Sequence, residues 1–298
     1  KLEVICGSND EHVRILSAAG KLIRQWKVDA KIVSGQGHES RPLVNTLYAD
    51  DADSDGKTEV YVGTMNCHFR RYTPEGELVW DRSGIYHGSQ ECRAYDLDGD
   101  GKKELMVGNR YGAVHILAAA DGKPSSSAGS ELGDVQFDFG DLDGDGKVEI
   151  VNGSSTGALK ATQFRGPVKW EFSNSGFGVR DVVVAKLTGG KTPEVLVASE
   201  TGYLYVLDGA GKEVWRANVG DAVMCIAVAD FNKDGSPEVA LGAADGTVRL
   251  YSAKGDLLAL APVGGIVKSV QPADLNSDGR PEILYTAEGG LVGALAMP

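Results

Sequence analysis

Asp141-Leu142-Asp143-Gly144-Asp145-Gly146-Lys147-Val148-Glu149 is the stretch on which the fold turns. It recurs as Asp51-Ala52-Asp53-Ser54-Asp55-Gly56, Asp96-Leu97-Asp98-Gly99-Asp100-Gly101, Asp230-Phe231-Asn232-Lys233-Asp234-Gly235 and Asp274-Leu275-Asn276-Ser277-Asp278-Gly279. Three residues after each closing glycine stands a glutamate: Glu59, Glu104, Glu149, Glu238 or Glu282. A sixth copy, Lys186-Leu187-Thr188-Gly189-Gly190-Lys191, lacks the acids but keeps Glu194. First positions fall at 51, 96, 141, 186, 230 and 274, a period of 44 to 45 residues. Such a period marks a repeat architecture.

The intervals between motifs are also regular. A run of alternating apolar residues leads into the motif, as in Val135 to Phe139 and Val223 to Val228. A second follows the glutamate, as in Val195 to Val197. A third, such as Tyr203 to Leu207, ends at a glycine turn like Asp208 to Gly211, and a fourth closes on Trp80, Trp170 or Trp215. Runs of four to six residues punctuated by glycine read as strands. Four strands per repeat is the blade of a β-propeller. The chain therefore reads as all-β, a seven-bladed β-propeller whose four-stranded blades take about 45 residues each. Glu3 to Gly7 matches Glu59 to Gly63 and Trp26 matches Trp80, so the first blade enters mid-way. The expected limits are a partial blade over 1–29, an insertion over 30–42, blades over about 43–83, 88–128, 133–174, 178–218 and 222–261, and a partial blade over 266–298. On this reading the first blade lacks its inner strand, the last its outer one, and the chain is a domain of a longer polypeptide.

Carboxylates at positions 1, 3 and 5, a glycine at 6 and an acid at 9 suit calcium, which takes six to eight hard oxygens from a tight loop. One copy would read equally well as a solvated turn; five in register would not. The expected ligands are Asp51, Asp53, Asp55, Lys57 and Glu59; Asp96, Asp98, Asp100, Lys102 and Glu104; Asp141, Asp143, Asp145, Lys147 and Glu149; Asp230, Asn232, Asp234, Ser236 and Glu238; and Asp274, Asn276, Asp278, Arg280 and Glu282. Position 7 (Lys57, Lys102, Lys147, Ser236, Arg280) would offer its backbone carbonyl. About five Ca2+ sites are expected, with the Lys186 copy metal-free and its ammonium paired with Glu194.

With these motifs the chain resembles the FG-GAP/VCBS family of calcium-binding propeller repeats, over essentially its whole length. The resemblance implies a metal in the loop between a blade's first and second strands. The Gly-x-x-x-Trp ending, as in Gly76 to Trp80, is similar to the docking tryptophan of quinoprotein-type propellers, and implies blade-to-blade packing by Trp26, Trp80, Trp170 and Trp215.

Departures from the repeat point to a ligand face. All five histidines fall between residues 12 and 115. Catalytic candidates are His38, His68, His87, Arg93, Arg110 and Tyr111; ligand-binding candidates are Arg41, Tyr48, Asn66, Gln90, Glu91, Tyr95, Asn109 and Asp138. Thr46, Tyr48 and Asp50, Glu91, Arg93 and Tyr95, and Gln136 and Asp138 put polar groups where later blades carry Val183, Ala185, Ala227 and Ala229. His115 aligns with Arg14, Arg70 and Lys160 at a strand position read as exposed. A polar, aromatic sector on a pseudosymmetric ring suggests a binding site. A Cys67–Cys92 bridge between neighbouring blades is an open alternative, and no spacing suggests zinc.

The favoured function is a secreted or surface ligand-binding module for a carbohydrate or polysaccharide, located extracellularly, at the cell surface or in the periplasm. A protein ligand is an alternative occupant. The alternative classes are a polysaccharide lyase cleaving a uronic-acid polymer by β-elimination, to which the family resemblance lends members, and a structural or adhesion domain. Net charge is −12, and no apolar run reaches the roughly 18 residues of a membrane helix. Neither nucleic acid nor membrane insertion is expected. The five loops hold 18 of the 42 carboxylates, so the rest of the chain is net positive by 6, and five calcium ions would bring the whole to about −2.

Overall fold

The structure is a computed structural model, and it describes residues 3–28, 41–85, 88–109, 113–129 and 135–296. All regular structure is β. Seven antiparallel sheets follow one another along the chain, the first and last with three strands and the other five with four. The fold is a seven-bladed β-propeller with partial first and last blades, as the repeat predicts. Among the described residues, no helix is long and apolar enough to cross a membrane. The chain forms two compact units, residues 1–135 and 136–298.

Each blade is a meander, and burial follows strand position. In the fifth blade the strands are Val179–Ala185, Glu194–Ser199, Tyr203–Leu207 and Glu213–Asn218. The second strand is buried at every residue, here and at Glu59–Thr64, Glu149–Ser154 and Glu238–Ala243. A strand covered on both faces reads as a continuous apolar run, and Val195-Leu-Val-Ala198 is one. The fourth strand alternates exposed and half-buried residues, as an outer edge should. The first strands of the second, third, fifth, sixth and seventh blades slip by one residue near their start, for example at Val179/Asp181 and Val223/Cys225. Such a bulge increases the local twist.

The core lies between blades. In the first unit, Val13 and Val28 pack with Val60, Val62 and Tyr72, while Tyr61 and Phe69 pack with Leu105, Val107 and Leu117. In the second, Leu159 and Ala161 meet Val182 and Val197, Leu196 and Leu204 meet Ile226 and Leu241, and Leu250 meets Val270 and Ile283.

Three of the four tryptophans dock as expected. Trp26 stands two residues beyond the register that Trp80, Trp170 and Trp215 share. Although its ring covers Gly76, its indole N–H has no hydrogen-bond partner, Arg24 donating to Pro74 O at 2.6 Å in its stead. Trp80, Trp170 and Trp215 donate their indole N–H to Ala119 O at 3.2 Å, Gly209 O at 2.9 Å and Ala253 O at 3.0 Å in the next blade. Each ring covers a glycine of that turn. At Gly211, φ is +79° and a β-carbon would lie 2.6 Å from the Trp170 ring. Gly211→Ala should therefore cost about 2–4 kcal/mol, combining left-handed strain with a steric clash. Gly189→Ala, where φ is +75° and the space is open, should cost about 1 kcal/mol. Urea unfolding of the two variants checks the difference; equal losses would remove the packing role.

Candidate functional site

The acidic loops join first to second strands. In each, the first aspartate accepts the N–H of the closing glycine: Gly56 to Asp51 at 3.0 Å, Gly101 to Asp96 at 2.8 Å, Gly146 to Asp141 at 2.9 Å, Gly235 to Asp230 at 2.9 Å and Gly279 to Asp274 at 2.8 Å. Those glycines have φ between +80° and +89°, so a side chain there would be strained. The fifth residue accepts the N–H of the seventh, from Lys57, Lys102, Lys147, Ser236 and Arg280, at 2.7 to 2.9 Å. The loops are thus pre-folded by their own hydrogen bonds.

The glutamate at position 9 has a second duty. Its Oε2 accepts the N–H of the second loop residue in six loops of six: Ala52, Leu97, Leu142, Leu187, Phe231 and Leu275, at 2.8 to 3.3 Å. This clasp explains why the degenerate copy keeps Glu194. The other oxygen, Oε1, differs by blade. At Glu149, a residue with 0 % exposure, it has no hydrogen-bond partner. At Glu238 and Glu282 it accepts the amide of Asn232 and Asn276, each at 2.7 Å. At Glu194 it accepts the Thr188 hydroxyl. Lys186 is exposed, and the expected Lys186–Glu194 pair does not form: Leu187 N–H, Thr188 N–H and the Thr188 hydroxyl already satisfy the carboxylate.

Among the described residues, carboxylates gather closely enough to share an ion at Asp51/Asp53/Asp55/Glu59, Asp96/Asp98/Glu104, Asp141/Asp143/Glu149 and Asp230/Asp234/Glu238, each set within 4.8 Å. Burial pushes Glu59, Glu104, Glu149 and Glu238 above the usual carboxylate range, and neighbouring aspartates add to it. Clustered carboxylates beside a buried, raised glutamate suit a divalent cation, so the residues of the third, fourth and sixth blades fit calcium. Buried oxygens without a hydrogen-bond partner stand at Glu149 Oε1 in the fourth blade and at Asp51 Oδ1 in the second. In the fourth blade Lys169 Nζ stands 2.7 Å from Asp143, on a partly exposed stem able to swing away. The second blade differs: there Arg71 lies 2.6 Å from Asp53 and 3.1 Å from Glu59.

Much of the polar sector serves as wiring between blades. The Thr46 hydroxyl donates to Ser89 O at 3.0 Å, and Lys103 Nζ lies 2.7 Å from Asp50. Tyr48 is half-buried, its hydroxyl donates to Asp50 at 3.2 Å, and burial followed by the Asp50 charge pushes its phenol well above the usual range. Asp138 Oδ2 accepts Val184 N–H at 2.7 Å, and Asp181 Oδ2 accepts Ile226 N–H at 2.8 Å. Asp181 was not among the sequence candidates, although alternation places it on the same strand face as Val183 and Ala185. Asn66, Glu91 and Asn109 are buried. Asn109 Nδ2 and His115 Nε2 are 3.2 Å apart, and burial, then Arg82, pushes the His115 imidazole down. Arg93 pairs with Glu91 at 2.5 Å, and Arg41, exposed, donates to Glu11 at 2.7 Å. Tyr95 is 40 % exposed and Gln90 half-buried.

His68 is buried, with Nδ1 2.6 Å from Asp81 Oδ1 and Nε2 without a hydrogen-bond partner. Arg70, expected at an exposed position, is 0 % exposed because Asp81 at 3.4 Å and the Thr64 hydroxyl at 2.9 Å receive its guanidinium. His38, His87, Arg110 and Tyr111 lie outside the described residues, as does most of the 30–42 insertion. All four cysteines are free thiols, so Cys67 and Cys92 form no bridge.

Residues 96–151 match the FG-GAP-like repeat, and residues 149–263 match the lambda-carrageenase β-propeller domain. Comparison with curated proteins gave no match. Similar solved structures include BBS1N in complex with ARL6DN (TM-score 0.75, 12 % identity, 99 % of this chain and 87 % of that one) and the WD40 β-propeller domain of Doa1 (TM-score 0.71, 17 % identity, 99 % and 90 %). At these identities the likeness is one of fold. The chain is a seven-bladed β-propeller that carries FG-GAP-like repeat sequence over residues 96–151 and is similar to the lambda-carrageenase propeller domain over 149–263.

Proposed function

We propose that the protein is a calcium-stabilised carbohydrate-binding propeller of an extracellular, cell-surface or periplasmic protein, its ligand an acidic polysaccharide. The observation that carries this reading is the match of residues 149–263 to the propeller domain of an enzyme named for a carrageenan. Metal-loaded loops reduce the net charge of −12, which weakens the repulsion of a polyanion. Tyr95, exposed on the third blade with Gln90 and Arg93 on the same strand, offers an aromatic platform beside polar donors. Binding is preferred over lyase chemistry. His68 is closed in against Asp81 and Arg93 is held by Glu91, so neither stands free to take a proton or neutralise a uronate.

Affinity electrophoresis and calorimetry with lambda-carrageenan, a uronan and a neutral galactan test the proposal. Retention on an acidic polysaccharide, weakened at least about tenfold by Tyr95→Ala, is expected. Absence of binding to any of them would overturn it. A rise in absorbance near 235 nm on the uronan would replace it with the lyase.

A further inference from the structure

Arg71 breaks the repeat at a place where no other blade is polar. It pairs in register with Tyr61, ten residues after the first loop aspartate. The same register position holds Ile15, Ile116, Ala161, Val206, Leu250 and Ala294 in the other six blades. Five of these aliphatic side chains are buried, Ala294 in the last blade being exposed, and the arginine is buried with them.

The guanidinium is 7 % exposed and lies inside the acidic loop. One nitrogen is 2.6 Å from Asp53 Oδ2 and another 3.1 Å from Glu59 Oε1. It also points at the carbonyls of Ala119 and Ala120 in the next blade, at 3.5 and 3.3 Å, the first of which also accepts the Trp80 indole N–H. In the fourth and fifth blades the counterparts of those four partners are Asp143, Glu149, Gly209 and Ala210. All four line a cavity of about 460 Å³, and Ala161 stands where Arg71 would. The groups that surround the Arg71 guanidinium in the second blade thus have counterparts that line open space in the fourth and fifth.

We propose that Arg71 is the resident cation of the second-blade loop, which consequently takes up no calcium, so that the protein binds one ion fewer than its intact loops would suggest. The inference rests on the calcium reading of the remaining loops. A guanidinium suits the role: it stays charged at any relevant pH, is weakly hydrated, and matches two carboxylates in its plane. Calcium could enter only by driving a buried charge out of its pocket and off two backbone carbonyls. Lys169 in the fourth blade also reaches its loop, 2.7 Å from Asp143, 3.6 Å from Asp145 and 3.7 Å from Glu149 Oε1. It comes from the outer strand, stays partly exposed and makes no hydrogen bond to Glu149, so it can swing out where the buried Arg71 cannot.

Calcium stoichiometry by calorimetry, with terbium luminescence as a second probe, tests this on the whole chain. Asp55→Asn, which alters the second loop without touching Arg71, should leave the number of bound ions unchanged, whereas Asp145→Asn should lower it by one. Arg71→Ile, the residue the third blade carries, should raise it by one. A loss of one ion in Asp55→Asn, or an unchanged count in a folded Arg71→Ile, would overturn the proposal. If the wild-type protein takes up no calcium, the calcium reading fails by itself, and the cationic role of Arg71 is decided by metal-free stability. Arg71→Ile should then shift the unfolding equilibrium at least about tenfold towards the unfolded state, because Asp53 and Glu59 lose their counter-charge. An unchanged urea midpoint would sink it.

Discussion

Asp81→Ala should destabilise the protein by about 3–5 kcal/mol, the range expected when one partner of a buried ion pair is removed. Arg70 has no exposed surface, and its charge is carried by Asp81 at 3.4 Å, with the Thr64 hydroxyl at 2.9 Å as a neutral acceptor. Asp81 also accepts from His68 at 2.6 Å. Its removal leaves a buried guanidinium without a carboxylate and an imidazole without its orienting partner, and water cannot reach either. Arg70→Met removes the costly charge along with its partner's burden, and leaves Asp81 still bound to His68. It should cost less than about 2 kcal/mol, since an apolar side chain of similar length can replace a buried ion at little loss. Thermal unfolding should show a midpoint lowered by roughly 10 °C for Asp81→Ala and by far less for Arg70→Met. Similar shifts for the two would mean that packing, and not charge compensation, holds this part of the second blade.

The architecture was legible because it is written seven times. A 45-residue period, an aspartate–glycine loop and a tryptophan four residues after a glycine state the blade, its turn and its neighbour contact independently. What resisted reading was the direction of polar side chains on the strand faces. Thr46, Tyr48 and Asp138 alternate correctly, but alternation cannot tell a face that meets solvent from one that meets the next blade. The structure turns Thr46 and Asp138 to the next blade, where Ser89 O accepts from the first and Val184 N–H donates to the second, and it half-buries Tyr48 against Asp50. Arg70 and Arg71 show the same limit. Each is a charge in a strand, and burial depends on Asp81, downstream on the fourth strand, and on an acid loop that register alone brings alongside. Lys186 invited the opposite error. Its position suggested a surrogate cation, but a threonine two residues on supplies the hydroxyl that Glu194 needs, and the ammonium is left in solvent.

Chelation should lower the melting temperature by roughly 15 °C or more if the third, fourth and sixth loops hold calcium. Each ion bound only by the folded state adds about 2.7 kcal/mol at a hundredfold excess over its dissociation constant, so three sites contribute about 8 kcal/mol. Without the ions, three carboxylates in each loop stand within 4.8 Å of one another, and burial raises the energy of their charged forms further. Two single substitutions separate this metal effect from the clasp that the same glutamates make. Glu149→Gln keeps an oxygen for Leu142 N–H but weakens the donor set, so it should lose stability in calcium and little in chelator. Glu194→Gln alters a loop that holds Thr188 in place of an ion, so its loss should be the same in both conditions. Differential scanning calorimetry of the wild type and both variants, with calcium and with chelator, gives six midpoints. A wild-type midpoint indifferent to chelator would end the calcium reading. A Glu194→Gln loss confined to calcium-loaded protein would place a metal in the one loop whose acids the sequence has discarded.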